Sequence, residues 1–187
     1  MTPEQEATAA FLNHYLSLGT IVGGIITVVW ICVLIYTWKT NKGTIGLSFI
    51  AKYALPFGLI ITLGGAFMTL YYSEALGYLP CGLCWFQRIF LYPMVALFAL
   101  ALMKKDYGIF FYTKWLSLGG LLVALYHNYI QLGYNPFIPC PVTAVFADCA
   151  IPPFIEFGFI TFPGMAVVLF TFTTLLSITV MRFAKRH

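Results

Sequence analysis

Five stretches of apolar residues, each near the length a helix needs to cross a bilayer (about 20 residues), dominate this chain. They run over Leu18–Trp38, Tyr53–Tyr72, Cys84–Met103, Lys114–Leu132 and Phe157–Met181, the third interrupted by Arg88. In lipid every backbone N–H and C=O must be paired within the protein, so such segments form helices or close into barrels. The alternating apolar and polar pattern of a barrel strand is absent. The expected fold class is therefore an all-α integral membrane protein with five spans.

Composition agrees. Only 9% of residues are charged, where a soluble domain carries roughly 25%, and the mean hydropathy is +0.90. The net charge of +4 is small, which leaves membrane lipid as a partner and gives no nucleic acid surface. The charges are sorted along the chain. Lys39, Lys42 and Lys52 follow the first span, Lys104, Lys105 and Lys114 lie between the third and fourth, and Arg182, Lys185 and Arg186 follow the fifth. Five spans put all three groups on one side, which the positive-inside rule makes cytoplasmic. Glu4, Glu6, Glu74, Asp148 and Glu156 fall on the other side, and only Asp106 joins the basic face. An even number of spans would scramble this partition. The first span lacks the basic leader and short apolar core of a cleavable signal, so it is expected to be a retained anchor with the N-terminus outside and the C-terminus cytoplasmic.

This topology sorts the five cysteines. Cys81 and Cys84 stand at the outer end of the third span, and Cys140 and Cys149 in the outer loop Gly133–Gly158, all facing a compartment where disulfides persist. Cys32 lies within the first span and is expected to be an inert buried thiol. Cys81-Gly-Leu-Cys84 is a CxxC at a helix start, where unpaired N–H groups and the positive end of the dipole favour thiolate, the attacking species in disulfide exchange. Arg88 follows Cys84 by one turn and shares its face. A guanidinium there is costly unless it meets a partner, such as a thiolate or a polar cofactor oxygen. Taken alone, the CxxC could equally be a plain disulfide or half of a metal site. Zinc takes four ligands, but no histidine lies between the two cysteine pairs in the outer loop, and Arg88 would repel a cation, so no metal is expected. Cys140 is flanked by Pro139 and Pro141, which enforce extended backbone, a form suited to the groove of a thioredoxin-like partner. The alternative is a loop staple.

Leu79-Pro80-Cys81-Gly82-Leu83-Cys84-Trp85-Phe86-Gln87-Arg88, followed by Tyr92-Pro93, resembles the signature of the DsbB/BdbC disulfide-formation family. His127-Asn128-Tyr129-Ile130-Gln131 and Phe157-Gly158-Phe159-Ile160-Thr161-Phe162-Pro163 resemble two further segments of it. The likeness runs from about Tyr53 to the C-terminus, and the short outer loop is similar to the BdbC branch. It implies a four-helix transmembrane core over residues 53–187. Residues 1–52 would then carry a tail, one additional N-terminal transmembrane helix and a cytoplasmic loop.

The resemblance also implies roles. Cys140 would form the mixed disulfide with a DsbA-like thioredoxin-fold protein, and Cys149 would resolve it and pass electrons to Cys81. Cys84 would contact a quinone, ubiquinone or menaquinone, drawn from the membrane quinone pool. Arg88 would hold the quinone carbonyl, with His127 and Gln131 near the ring. The site would face outward from the cytoplasmic (inner) membrane of a bacterium. From the residues alone, His127 and Gln131 read first as interfacial polar residues anchoring a helix end. Vitamin K epoxide reductase-like proteins combine similar elements, but there the loop pair precedes the CxxC, and here it follows. A membrane scaffold with two structural disulfides is the non-enzyme alternative, and Arg88 is the residue it does not explain.

Overall fold

The computed structural model describes residues 2–40, 45–137, 140 and 147–183. Its helices in chain order are α1 Pro3–Thr40, α2 Ile45–Lys52, α3 Ala54–Leu70, α4 Gly82–Lys104, α5 Ile109–Gln131 and α6 Phe162–Phe183, with a π-helical turn at Tyr71–Ala75 continuing α3. All but α2 are long and apolar enough to cross a membrane, which gives the five expected spans. No strand occurs among the described residues, only isolated bridges.

The boundaries differ from the sequence reading for local reasons. The first helix begins at Pro3, well before the apolar run at Leu18. Thr2 and Gln5 form a reciprocal capping box, Gln5 N–H donating to Thr2 Oγ1 at 3.3 Å and Thr2 N–H to Gln5 Oε1 at 2.8 Å. Glu4 and Glu6 then complement the dipole in the first turn. At 38 residues α1 is about 57 Å long, against a hydrocarbon core of about 30 Å. Much of it is therefore surplus to a perpendicular crossing. The last helix begins late, at Phe162. Phe157 and Gly158 have φ of +51° and +80° and turn the chain, and Pro163 fits only the first helical turn, where its missing N–H leaves nothing unpaired. The stretch read as a cytoplasmic loop contains α2, whose Leu47 and Ala51 are buried against the core.

The spans run antiparallel in sequence order. Arg182 donates to the Thr37 carbonyl at 3.3 Å and joins the C-terminal ends of α6 and α1. Tyr107 donates to the Lys52 carbonyl at 3.1 Å and brings the α4–α5 turn to the start of α3. These contacts belong to one end of the bundle, the basic one, and the cysteines of α4 stand at the opposite end. Inside the bundle, Met94, Phe98, Phe110, Phe170 and Leu176 are fully buried. Phe170 lies over Gly120, where any Cβ would collide with the ring, so α5 and α6 approach closely. Thr113–Ser177 and Thr174–Ser117 hydrogen bonds at 3.2 and 2.9 Å join the same two helices, the polar cross-links typical of membrane bundles.

Candidate active site

The motif Cys81-Gly-Leu-Cys84 is placed by the helix it starts. After Pro80, Cys81 takes extended backbone (φ −78°, ψ 170°) and acts as the N-cap of α4, its Sγ accepting the Cys84 N–H at 3.3 Å. The two sulfurs lie 2.9 Å apart as free thiols. Across from them, α5 presents His127, buried, with Nε2 3.6 Å from Cys81 Sγ. Gln87, one turn after Cys84 on α4, has its amide nitrogen 3.3 Å from His127 Nδ1. The imidazole thus stands between the Gln87 amide and the Cys81 sulfur, and with a proton on Nε2 it donates to that sulfur. The Cys84 thiol, hydrogen-bonded to Cys81, holds the Cys81 thiol well below its ordinary range. Burial opposes this, and His127 adds to it.

Gln131 follows His127 by one turn, its Nε2 3.5 Å from His127 Nε2, while its Oε1 is buried without a partner. Turning the amide over exchanges the two atoms, so Gln131 can show its surroundings either an acceptor or donors.

Arg88 is buried, and its partners differ from those expected. Nη2 donates to the Thr69 carbonyl at 2.6 Å, and the guanidinium lies over the Trp85 ring, 5.1 Å from its centre. Thr69 stands just before the π-helical turn at Tyr71–Ala75, where the wider turn disturbs the regular hydrogen-bond ladder. No acid lies within ion-pair distance of Arg88 among the described residues.

Cys140 and Cys149 are disulfide-bonded, and Cys149 is completely buried. Ala147 pairs with Cys81 in a parallel bridge, so the segment leading into Cys149 runs beside the CxxC. Pro139 and Pro141, on which the extended reading of Cys140 rests, lie outside the described residues.

Cys81, Cys84, Gln87, Arg88, His127 and Gln131 line one end of a cavity of about 570 Å³. Its remaining walls come largely from apolar residues of α1, α3 and α6. The structure thus brings together five of the sequence-selected residues, Cys81, Cys84, Arg88, His127 and Gln131. Gln87 belongs to the same motif and joins them beside His127. Its spacing of three from Cys84 was the available signal. The Thr69 carbonyl had none, because a backbone acceptor has no side-chain signature. Cys32, expected to be buried, is exposed, because α1 packs on the bundle with one face and Cys32 lies off it. The ligand atoms of Cys81, Cys84 and His127 lie within 4.8 Å of one another, three of the four ligands of a structural zinc site. The fixed positive charge of Arg88 on the same cavity opposes a cation there.

The family described as "Disulfide bond formation protein DsbB" matches residues 50–180. The chain belongs to the DsbB family. It is 38% identical over 122 residues to the SPbeta prophage-derived disulfide bond formation protein B of Bacillus subtilis, covering 64% of this chain and 81% of that protein. It is 36% identical over 115 residues to the probable disulfide formation protein C of Halalkalibacterium halodurans, covering 61% and 82%. With the disulfide bond formation protein C of Bacillus subtilis the identity is 34% over 104 residues, covering 54% and 73%. No solved structure matches the chain significantly. The DsbB match begins within α2, so the whole of α1 precedes it. Membership, five apolar helices and two adjacent cysteine pairs make this a multi-pass membrane thiol oxidoreductase of the disulfide-forming kind.

Proposed function

We propose that the protein reoxidises a DsbA-like, thioredoxin-fold partner outside the cytoplasm, from the cytoplasmic membrane of a bacterium, and passes the electrons to a membrane quinone. The observation that carries this reading is the continuity of the Cys81–Cys84 pair with an apolar cavity that holds one buried guanidinium.

The exchange steps use this chain's own sulfurs. A partner thiolate attacks Cys140, breaking the Cys140–Cys149 bond and releasing Cys149 as thiolate. Cys149 attacks Cys81 in a Cys81–Cys84 disulfide and expels Cys84. The partner's second thiolate displaces Cys140 and leaves the partner oxidised. Cys140 then attacks Cys149, restoring the loop disulfide and freeing Cys81. Two electrons and two protons have moved from the partner to Cys81 and Cys84. The bridge between Ala147 and Cys81 supports this order, since it sets the loop beside the CxxC.

A quinone, when bound, supplies an acceptor for those two electrons and two protons. The residues present fit such a group. Arg88 offers a planar fork of donors to a carbonyl oxygen. Gln131 offers donors to a carbonyl, or its unpartnered Oε1 to a hydroxyl. With a proton on Nε2, His127 would donate to Cys81 Sγ and steady it as thiolate, 2.9 Å from the Cys84 sulfur with which it forms a disulfide once an acceptor takes the two electrons.

The test is turnover. Purified protein with excess reduced thioredoxin-fold partner should oxidise many equivalents of thiol with a quinone present, and no more than the protein's own disulfides can accept without one. Equal turnover in both conditions would remove the quinone from the account.

A further inference from the structure

The cavity at the cysteines does not end at the cysteines. It follows α3 from Tyr72 back to Ile60, roughly 18 Å along the helix axis, and α6 from Phe162 to Phe172. Its volume of about 570 Å³ is that of a site for a drug-sized ligand, more than one substituted six-membered ring requires. Its third wall is α1, the helix that precedes the whole of the family match. Leu16, Gly19, Thr20 and Gly23 line it there, with Tyr15 at the end nearer the cysteines.

The wall is fixed in place. Tyr72, itself a cavity residue, donates its hydroxyl to Asn13 Oδ1 at 2.6 Å in a buried contact. Toward the far end, Trp30 Nε1 donates to Thr179 Oγ1 at 3.2 Å in a buried contact, and Arg182 donates to the Thr37 carbonyl. At Gly23 the backbone comes so near α6 that a Cβ would stand 3.3 Å from Val168. α1 packs chiefly on α6, and the cavity lies in the space it leaves toward α3.

We infer that α1 forms part of the quinone site and holds the apolar tail of the quinone, through Leu16, Gly19, Thr20 and Gly23, in the channel between α1, α3 and α6. This rests on the quinone reading above. A polar headgroup at Arg88 and Cys84 leaves the rest of the channel to an apolar chain, and continuity between the two regions points to one amphiphilic occupant. Without α1 the channel would lie open along the flank of α3 and α6.

The test uses the full chain and a benzoquinone carrying a diazirine on a decyl side chain, with a tail-less analogue of the same ring. Photolysis should attach the tailed probe to the α1 peptide containing Leu16 to Gly23, and excess unlabelled decyl quinone should suppress the adduct. Gly19→Leu should fold, since nothing lies within 4 Å of the position its Cβ would take. Gly19→Leu and Thr20→Leu should each lower the α1 labelling and raise the ratio of KM for tailed over tail-less quinone, by roughly tenfold. Val22→Leu, an exposed position outside the channel, should change neither. If the tail-less quinone is reduced normally while the tailed probe labels α3 or α6 and never α1, the inference about α1 is overturned and the quinone reading stands. If neither quinone is reduced by the unaltered protein, the quinone reading falls and takes this inference with it.

Discussion

His127 Nε2 lies 3.6 Å from Cys81 Sγ, and the Gln87 amide nitrogen lies 3.3 Å from His127 Nδ1 on the other side of the ring. A histidine on α5 thus faces the first cysteine of a motif on α4. The thiol it faces also receives the Cys84 hydrogen bond, the larger of the two influences, and both favour thiolate over thiol.

A thiol whose pKa is depressed keeps its thiolate as the pH falls below the ordinary thiol pKa of about 8.5. In the reduced protein, Cys81 should therefore still be alkylated rapidly by iodoacetamide at pH 6, where a normal thiol has become unreactive. His127→Ala should move the rate–pH curve to higher pH, and Cys84→Ala should move it further. Mass spectrometry of the Cys81 peptide across pH reads this directly. A curve in His127→Ala that coincides with the unaltered protein's would exclude the imidazole as a partner of Cys81.

Arg88 donates to the Thr69 carbonyl with Nη2 and lines the cavity as well. Arg88→Lys keeps the charge and loses the fork of donors. It should weaken quinone use more than it slows mixed-disulfide formation at the outer loop. Arg88→Ala should impair quinone reduction by roughly 10- to 100-fold, the range set by about 1.5–3 kcal/mol for a charge-assisted hydrogen bond. Quinone-reduction kinetics measured beside partner exchange separate the two effects. Unchanged kinetics in both variants would take Arg88 out of the site.

Much of this arrangement was legible in the chain before folding, and the illegible parts have physical reasons. Span number followed from apolar length and from the partition of charge, because lipid leaves the backbone few choices. The spacing of Cys84 and Arg88 put both on one face of α4. The start of α1 lies ahead of its apolar run, because the Thr2–Gln5 capping box and not hydropathy fixes where the helix begins. Long-range pairs such as Asn13–Tyr72 and Cys81–His127 leave no periodic trace, so neither the place of α1 on the cavity nor the Gln87–His127–Cys81 relay followed from spacing.

The loop disulfide should be the point of partner contact. Cys149→Ala frees Cys140 as a thiol, which should attack the disulfide of an oxidised thioredoxin-fold partner and remain joined to it. Non-reducing electrophoresis and peptide mapping should place the adduct on Cys140. An adduct through Cys81 would reverse the proposed order. Cys32→Ala, an exposed position on α1 away from the site, should leave turnover intact.

Orientation is open to labelling. Cysteines introduced beside Glu4 and Asp148 should react with an impermeant maleimide added to intact cells, and cysteines beside Lys42 and Lys104 only after lysis. Labelling at Lys42 in intact cells would contradict the proposed topology.

The central claim is that electrons from partner thiols leave through Cys81 and Cys84 to a quinone. Its most direct measurement is stoichiometry: the loss of quinone absorbance set against the loss of partner thiols, with purified protein in the absence of oxygen. The account predicts one quinone reduced for each partner disulfide formed in the unaltered protein, and none in Cys84→Ala. Partner disulfides that accumulate over many turnovers while the quinone remains oxidised would contradict it.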